Sequence, residues 1–175
     1  MQAGYPTDSE LVKSLLKNSS STVHPETYLL QMPASPHIAA KAEGKTIRLA
    51  EIKQQIPETQ NTLVIEGAGG VLVPLNENET VADLIKTLDA SVIIISRNYL
   101  GSINHSLLTA AYLKQKNIKI IGWLFNDVFM NYEDDIIRMS GLPVIGSITN
   151  LSEVNRDSIE QQANLIRSDL KNLYE

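Results

Sequence analysis

The chain has 175 residues, 43% hydrophobic but only 5% aromatic, so its apolar stock is Leu, Ile, Val and Ala, enough for one sizeable α/β core. With Lys+Arg 15 against Asp+Glu 20 the formal net charge is -5, which argues against nonspecific nucleic-acid binding, since that requires a net basic face. Without cysteine there is no disulfide framework or thiolate metal site; no apolar run approaches the roughly 18 residues of a membrane span and no signal peptide opens the chain, so a cytoplasmic protein away from membranes is expected.

In chain order, Thr7-Asp8-Ser9-Glu10 reads as a capping box, with Thr7 at the N-cap and Glu10 three residues on. The helix behind it is expected to bury Leu11, Val12, Leu15 and Leu16. A second helix is predicted over residues 36–43, ended by Gly44, and a third over 47–56. No central strand is expected before Thr62.

From there strand and helix alternate. Residues 62–66, 91–96, 119–126 and 142–148 are short and rich in Ile, Leu and Val without clean alternation, as in strands covered on both faces. Between them, 102–114 presents Ile103, Leu107, Ala110 and Ala111 on one face, and 132–140 is a shorter helix ended near Gly141 and Pro143. Residues 157–173 carry an apolar stripe of Ile159, Ala163, Ile166, Leu170 and Leu173. The pattern predicts a single α/β domain with a doubly wound, mostly parallel sheet and right-handed crossovers.

The run Leu63-Val64-Ile65-Glu66-Gly67-Ala68-Gly69-Gly70 is the most informative stretch. Three β-formers lead to a carboxylate, and three glycines within four residues let the backbone lie against a ligand. In open α/β sheets ligands sit beyond the carboxyl ends of the strands, and an acid there suits magnesium carrying nucleotide phosphates. A strand-to-loop exit with a solvated Glu is the plainer alternative. Ala39-Ala40-Lys41-Ala42-Glu43-Gly44-Lys45-Thr46 meets the loosest form of a phosphate-loop pattern. It is preceded by a helix start rather than a strand, and Gly44 reads as a helix C-cap, so it is expected to be a coincidence. The three histidines, His24, His37 and His105, form no constellation, and no Gly-x-Ser-x-Gly elbow points to a serine hydrolase.

Gln2-Ala3-Gly4, Thr7-Asp8-Ser9-Glu10, Ser35-Pro36-His37, Glu66-Gly67-Ala68-Gly69-Gly70, Leu100-Gly101-Ser102-Ile103-Asn104-His105 and Gly122-Trp123-Leu124-Phe125-Asn126-Asp127 follow one another in this order. Together they resemble the dethiobiotin synthase family over essentially the whole chain. The resemblance implies a three-layer fold like that of P-loop NTPases, a homodimer, and ATP with Mg2+ as cofactors. It implies closure of the ureido ring of dethiobiotin from 7,8-diaminononanoate and CO2 through a carbamate that attacks the γ-phosphate. It also implies that the family's first strand, its phosphate loop Gly-Thr-Asp-Thr-x-x-Gly-Lys-Thr with the catalytic lysines, a helix and a second strand lie upstream of Met1. The 175-residue chain alone is then expected to be inactive.

Residue by residue, the resemblance implies that Asp8 and Glu66 serve magnesium and nucleotide, with Gly67, Ala68 and Gly69 beside the phosphates. Asn126 would read adenine, Asp127 beside it would belong to the same ATP site, and Thr149, Asn150 and Leu151 would hold the base through backbone groups; many members carry proline where Thr149 stands. Leu100, Gly101, Ser102, Ile103 and Asn104 would take the substrate carboxylate across the dimer interface, and Ala3 would contact substrate near the carbamate. Taken alone, Asp8 is a favourable first-turn charge, Asn126 could simply turn the chain, and Ser102 could be an N-cap. A nonenzymatic relative, kept as a small-molecule binding or dimerisation module, is the alternative.

Overall fold

The computed structural model describes residues 2–3 and 7–171. The chain divides into two compact units, Met1–Asp89 and Ala90–Glu175. The fold class is the expected α/β with parallel sheets.

In the first unit, β1 (Gln2–Ala3) pairs in parallel with β2 (Leu29–Leu30). Helix α1 (Asp8–Leu15) opens on the predicted capping box: Thr7 Oγ1 accepts from the Glu10 amide and the Glu10 carboxylate accepts from the Thr7 amide. α2 (Pro36–Ala42) has Pro36 at its first turn, where a missing N–H costs nothing, and passes into Gly44 at φ +64. α3 (Leu49–Gln55) and α4 (Val81–Thr87) complete the unit. Its core gathers Leu30, Ala39, Ala40, Ile47, Leu49, Ile52, Leu75, Val81 and Leu84. Ala39 and Ala40 are therefore buried helix residues, and the 39–46 pattern is not a phosphate loop.

In the second unit, β3 (Val92–Arg97), α5 (Ser102–Gln115), β4 (Ile120–Asn126), α6 (Tyr132–Ser140), β5 (Val144–Ile148) and α7 (Arg156–Lys171) alternate strictly. The strands form a parallel sheet in the order β3-β4-β5. Trp123 and Phe125 are fully buried, with ring centroids 5.8 Å apart, and Trp123 Nε1 donates to Ser140 Oγ at 2.9 Å, joining β4 to the last residue of α6. Gly122 is needed for close strand approach: a Cβ there would lie 2.7 Å from the carbonyl oxygen of Pro143, the group that accepts from the Trp123 amide.

Four expectations are corrected. Residues 62–66 form no strand; Val64 is 86% exposed, and no described residue supplies the ladder partner that a strand requires. α1 buries none of its residues, and Leu11 and Val12 are exposed: its caps fix the helix, but among the described residues no apolar face covers it. The buried face of α5 is Ser102, Ser106, Ala110 and Leu113, not the one through Ile103 and Leu107. Small side chains let this helix approach β3 closely, where the Ser106 and Ser96 hydroxyls share a buried hydrogen bond of 2.7 Å. In α7, Ile166 is buried, whereas Ile159 and Ala163 are exposed; Leu173 lies outside the described residues. Two features were not anticipated: the β1–β2 pair and α4, although Thr80 and Asp83 form a second capping box in plain view of the sequence.

Candidate functional site

The ends of β3, β4 and β5 meet around an open cavity of about 350 Å³ lined by Arg97, Asn126, Asp127, Ile148, Thr149, Asn150, Leu151 and Val154. The register explains the convergence. Arg97 is the ladder partner of Asn126, and Asn126 that of Ile148, so the three strands run out at one level. One more rung follows, with the Asn98 amide donating to the Asn126 carbonyl at 2.9 Å and the Asp127 amide to the Ile148 carbonyl at 3.1 Å. Beyond it the chain must turn. Asp127 does so at φ +64, a conformation that Asp tolerates better than most side chains.

The cavity wall carries few groups, each with a defined state. Asn126 Oδ1 accepts from the Asp127 amide at 3.1 Å, which orients the carboxamide and directs its NH2 elsewhere. Asp127 Oδ2 accepts from Arg97 Nε at 2.9 Å, so a carboxylate at the cavity is neutralised by a cation from the neighbouring strand. Ile148, Leu151 and Val154 supply apolar surface. Apolar surface from three residues edged by the carboxamides of Asn126 and Asn150 suits a nucleobase.

A second feature of this unit is the start of α5. Gly101, at φ +103, is the N-cap and offers no side chain to the helix amides. The Ser102 amide donates to the Tyr99 carbonyl, while among the described residues no backbone acceptor serves the amides of Ile103 and Asn104. Ser102 Oγ is buried and unpartnered. Free amides at the start of a 14-residue helix beside an unsatisfied hydroxyl are suited to a carboxylate. Leu100 stands 79% exposed before them, and Tyr99 OH shares a hydrogen bond with His105 Nδ1 at 2.5 Å.

In the first unit, Asp8 is the first residue of α1, its amide bonded to Gln2 Oε1 at 2.6 Å. Glu66 lies in the irregular run before Gly67, Ala68 and Gly69, with Gly69 at φ +77. Both acids are exposed, and neither carboxylate has a partner among the described residues. That leaves both free to ligate a hard cation, the oxygen chemistry magnesium uses. No group of three or more His, Asp or Glu side chains gathers for a metal among the described residues. The backbone of Ala3 belongs to β1.

Comparison with known proteins adds the lineage. A family model described as an AAA domain matches residues 1–158. The ATP-dependent dethiobiotin synthetase BioD of Cytophaga hutchinsonii is 46% identical over 167 residues, which cover 93% of this chain and 80% of its own length. The chain belongs to the dethiobiotin synthetase family. The synthetase of the same name from Christiangramia forsetii is 44% identical over 143 residues, covering 81% of this chain and 68% of its own. That of Bacillus subtilis is 31% identical over 163 residues, covering 87% and 71%. The family is one of enzymes that use ATP.

Within this family frame, Asn126, Asp127, Thr149, Asn150 and Leu151, distant in sequence, all line one cavity. Arg97, Ile148 and Val154 were missed. Arg97 could have been found, because a basic residue closing an apolar strand run stands where the sheet delivers ligands. No helix of the described residues is long and apolar enough to cross a membrane.

Proposed function

We propose that this protein closes the ureido ring of dethiobiotin from 7,8-diaminononanoate and CO2 at the expense of ATP, with Mg2+ at Asp8 and Glu66. The observation that carries the reading is the cavity at the carboxyl ends of β3, β4 and β5, edged by the Asn126 carboxamide; family membership supports it. In this reading Asn126 takes the adenine edge, and Thr149, Asn150 and Leu151 hold the base. Asp8 and Glu66 would hold the magnesium, which would supply charge neutralisation to the nucleotide phosphates.

The start of α5 receives the substrate carboxylate on the amides of Ile103 and Asn104, with Gly101 keeping the approach open and Ser102 Oγ as a further donor. Gly67, Ala68 and Gly69 lie beside the phosphates, and Ala3 borders the carbamate end of the substrate. Catalysis rests on positioning and charge rather than on a protein nucleophile. A homodimer is supported by the exposed Tyr99, Leu100 and Leu108 around the α5 start, which a second subunit would cover while completing the substrate site. The need for ATP supports a cytoplasmic location.

The test supplies ATP, magnesium, bicarbonate and 7,8-diaminononanoate to the protein expressed from its complete reading frame. Dethiobiotin should appear by mass spectrometry, with one phosphate released per product. Phosphate release that does not depend on the diamine, or no product with all four present, overturns the reading.

A further inference from the structure

Behind the cavity lies a chain of side chains that touches all three strand ends. Asn98 is 5% exposed, and its Nδ2 donates to the Asp127 carbonyl at 3.0 Å and to Glu133 Oε1 at 2.9 Å. Glu133, in the first turn of α6, accepts through Oε2 from Ser147 Oγ at 2.9 Å. Asn98 follows Arg97, Ser147 precedes Ile148, and Asp127 itself lines the cavity. The chain thus spans from β3 to β5 beneath the cavity and holds the carbonyl of the one lining residue that is at positive φ.

The chemistry admits one orientation. Both partners of the Asn98 NH2 are acceptors, so the reversed amide would set oxygen against a carbonyl and a carboxylate. The cost of the observed orientation is visible: Asn98 Oδ1 is buried without a partner. A fold needing only to fill this space would be served by an apolar side chain, whereas an amide committed to donation fixes the distance between three chain segments.

We propose that Asn98 and Glu133 are positioning residues for nucleotide binding, setting the spacing of the strand ends that grip the base. The proposal rests on the reading of the cavity as the nucleotide site. Glu133→Gln keeps both contacts, since its Oε1 accepts from Asn98 and its Nε2 donates to the Ser147 hydroxyl. Asn98→Asp places a carboxylate against Glu133 and the Asp127 carbonyl and opens the chain.

The experiment measures kcat and the KM values for ATP and for 7,8-diaminononanoate in these two variants, with Asn126→Ala as reference and thermal melting alongside. Asn98→Asp should raise the KM for ATP about tenfold while kcat stays within about twofold, as expected when only ground-state binding geometry is lost. Glu133→Gln should lie within about threefold of the parent in the KM for ATP, because both of its contacts are kept. An unchanged KM for ATP in Asn98→Asp, an equal rise in both KM values, or a Glu133→Gln variant as impaired as Asn98→Asp overturns the proposal. If Asn98→Asp fails to fold, Ser147→Ala decides in its place: a selective rise in the KM for ATP supports the positioning role and an unchanged value overturns it. If Asn126→Ala leaves the KM for ATP unchanged, the cavity itself has been misread.

Discussion

Arg97, the last residue of β3, donates from Nε to Oδ2 of Asp127, the first residue past β4, at 2.9 Å. The pair joins two adjacent strand ends at the cavity mouth and brings one acid to neutrality where a polyanion is proposed to bind. Its side chains are 74% and 19% exposed, so the pair is worth no more than about 0.2–1 kcal/mol to stability. Arg97→Ala should therefore leave the urea midpoint nearly unchanged. It should weaken ATP binding several-fold, more at low salt than at high salt, because the freed Asp127 charge is then screened less. Calorimetric titration with ATP at two salt concentrations checks this; an effect independent of salt would contradict it.

Asn126→Ala removes the side-chain amide that the end of β4 brings to the cavity wall. With a paired amide worth about 1–3 kcal/mol against an adenine edge, ATP affinity should fall roughly tenfold or more. Folding stability should change little, because Asn126 is exposed. Parallel ATP titration and urea unfolding separate the two effects.

Gly122→Ala would press a methyl group to 2.7 Å from the Pro143 carbonyl oxygen and to 3.2 Å from Ile145 Cγ1. Backbone cannot yield as a flexible side chain does, so β4 and β5 must separate, at a cost of about 1–3 kcal/mol. Urea unfolding should show the loss as a lower midpoint with an unchanged slope.

Tyr28 OH donates to Glu51 Oε2, and Arg48 Nη1 bonds the other carboxylate oxygen at 3.1 Å. These bonds, Tyr28 first, hold the Glu51 carboxyl below its ordinary value. A lowered carboxyl adds stability that is present above about pH 4.5 and is lost as pH falls through the folded value. Tyr28 is shifted upward by burial and by Glu51, so its contribution persists below pH 10 and is lost above. Tyr28→Phe should flatten both limbs of the stability–pH curve in denaturant melts from pH 3 to 11. Retention of both limbs would assign them to other groups.

Local rules in the sequence settle much of this protein. Thr7 with Glu10, Pro36 at a first turn, Gly44 and Gly141 after helix ends, and the Ile- and Val-rich runs of β3, β4 and β5 each act over a few residues. Those elements form where the pattern places them, and the ordered motifs carry the family. Four decisions needed the tertiary structure. Residues 62–66 have the composition of a strand but no ladder partner among the described residues, and a strand is defined by its neighbour. α5 turns its serines inward because close approach to β3 and the Ser96–Ser106 bond outweigh the greater apolar area of Ile103 and Leu107. Arg97 reaches Asp127 across 30 residues of sequence, and Asn98 reaches Glu133 across 35, because parallel register sets three strand ends level. Propensity and capping are properties of a segment; register, burial and the partner of a buried amide belong to segments brought together, and only the folded chain brings them together.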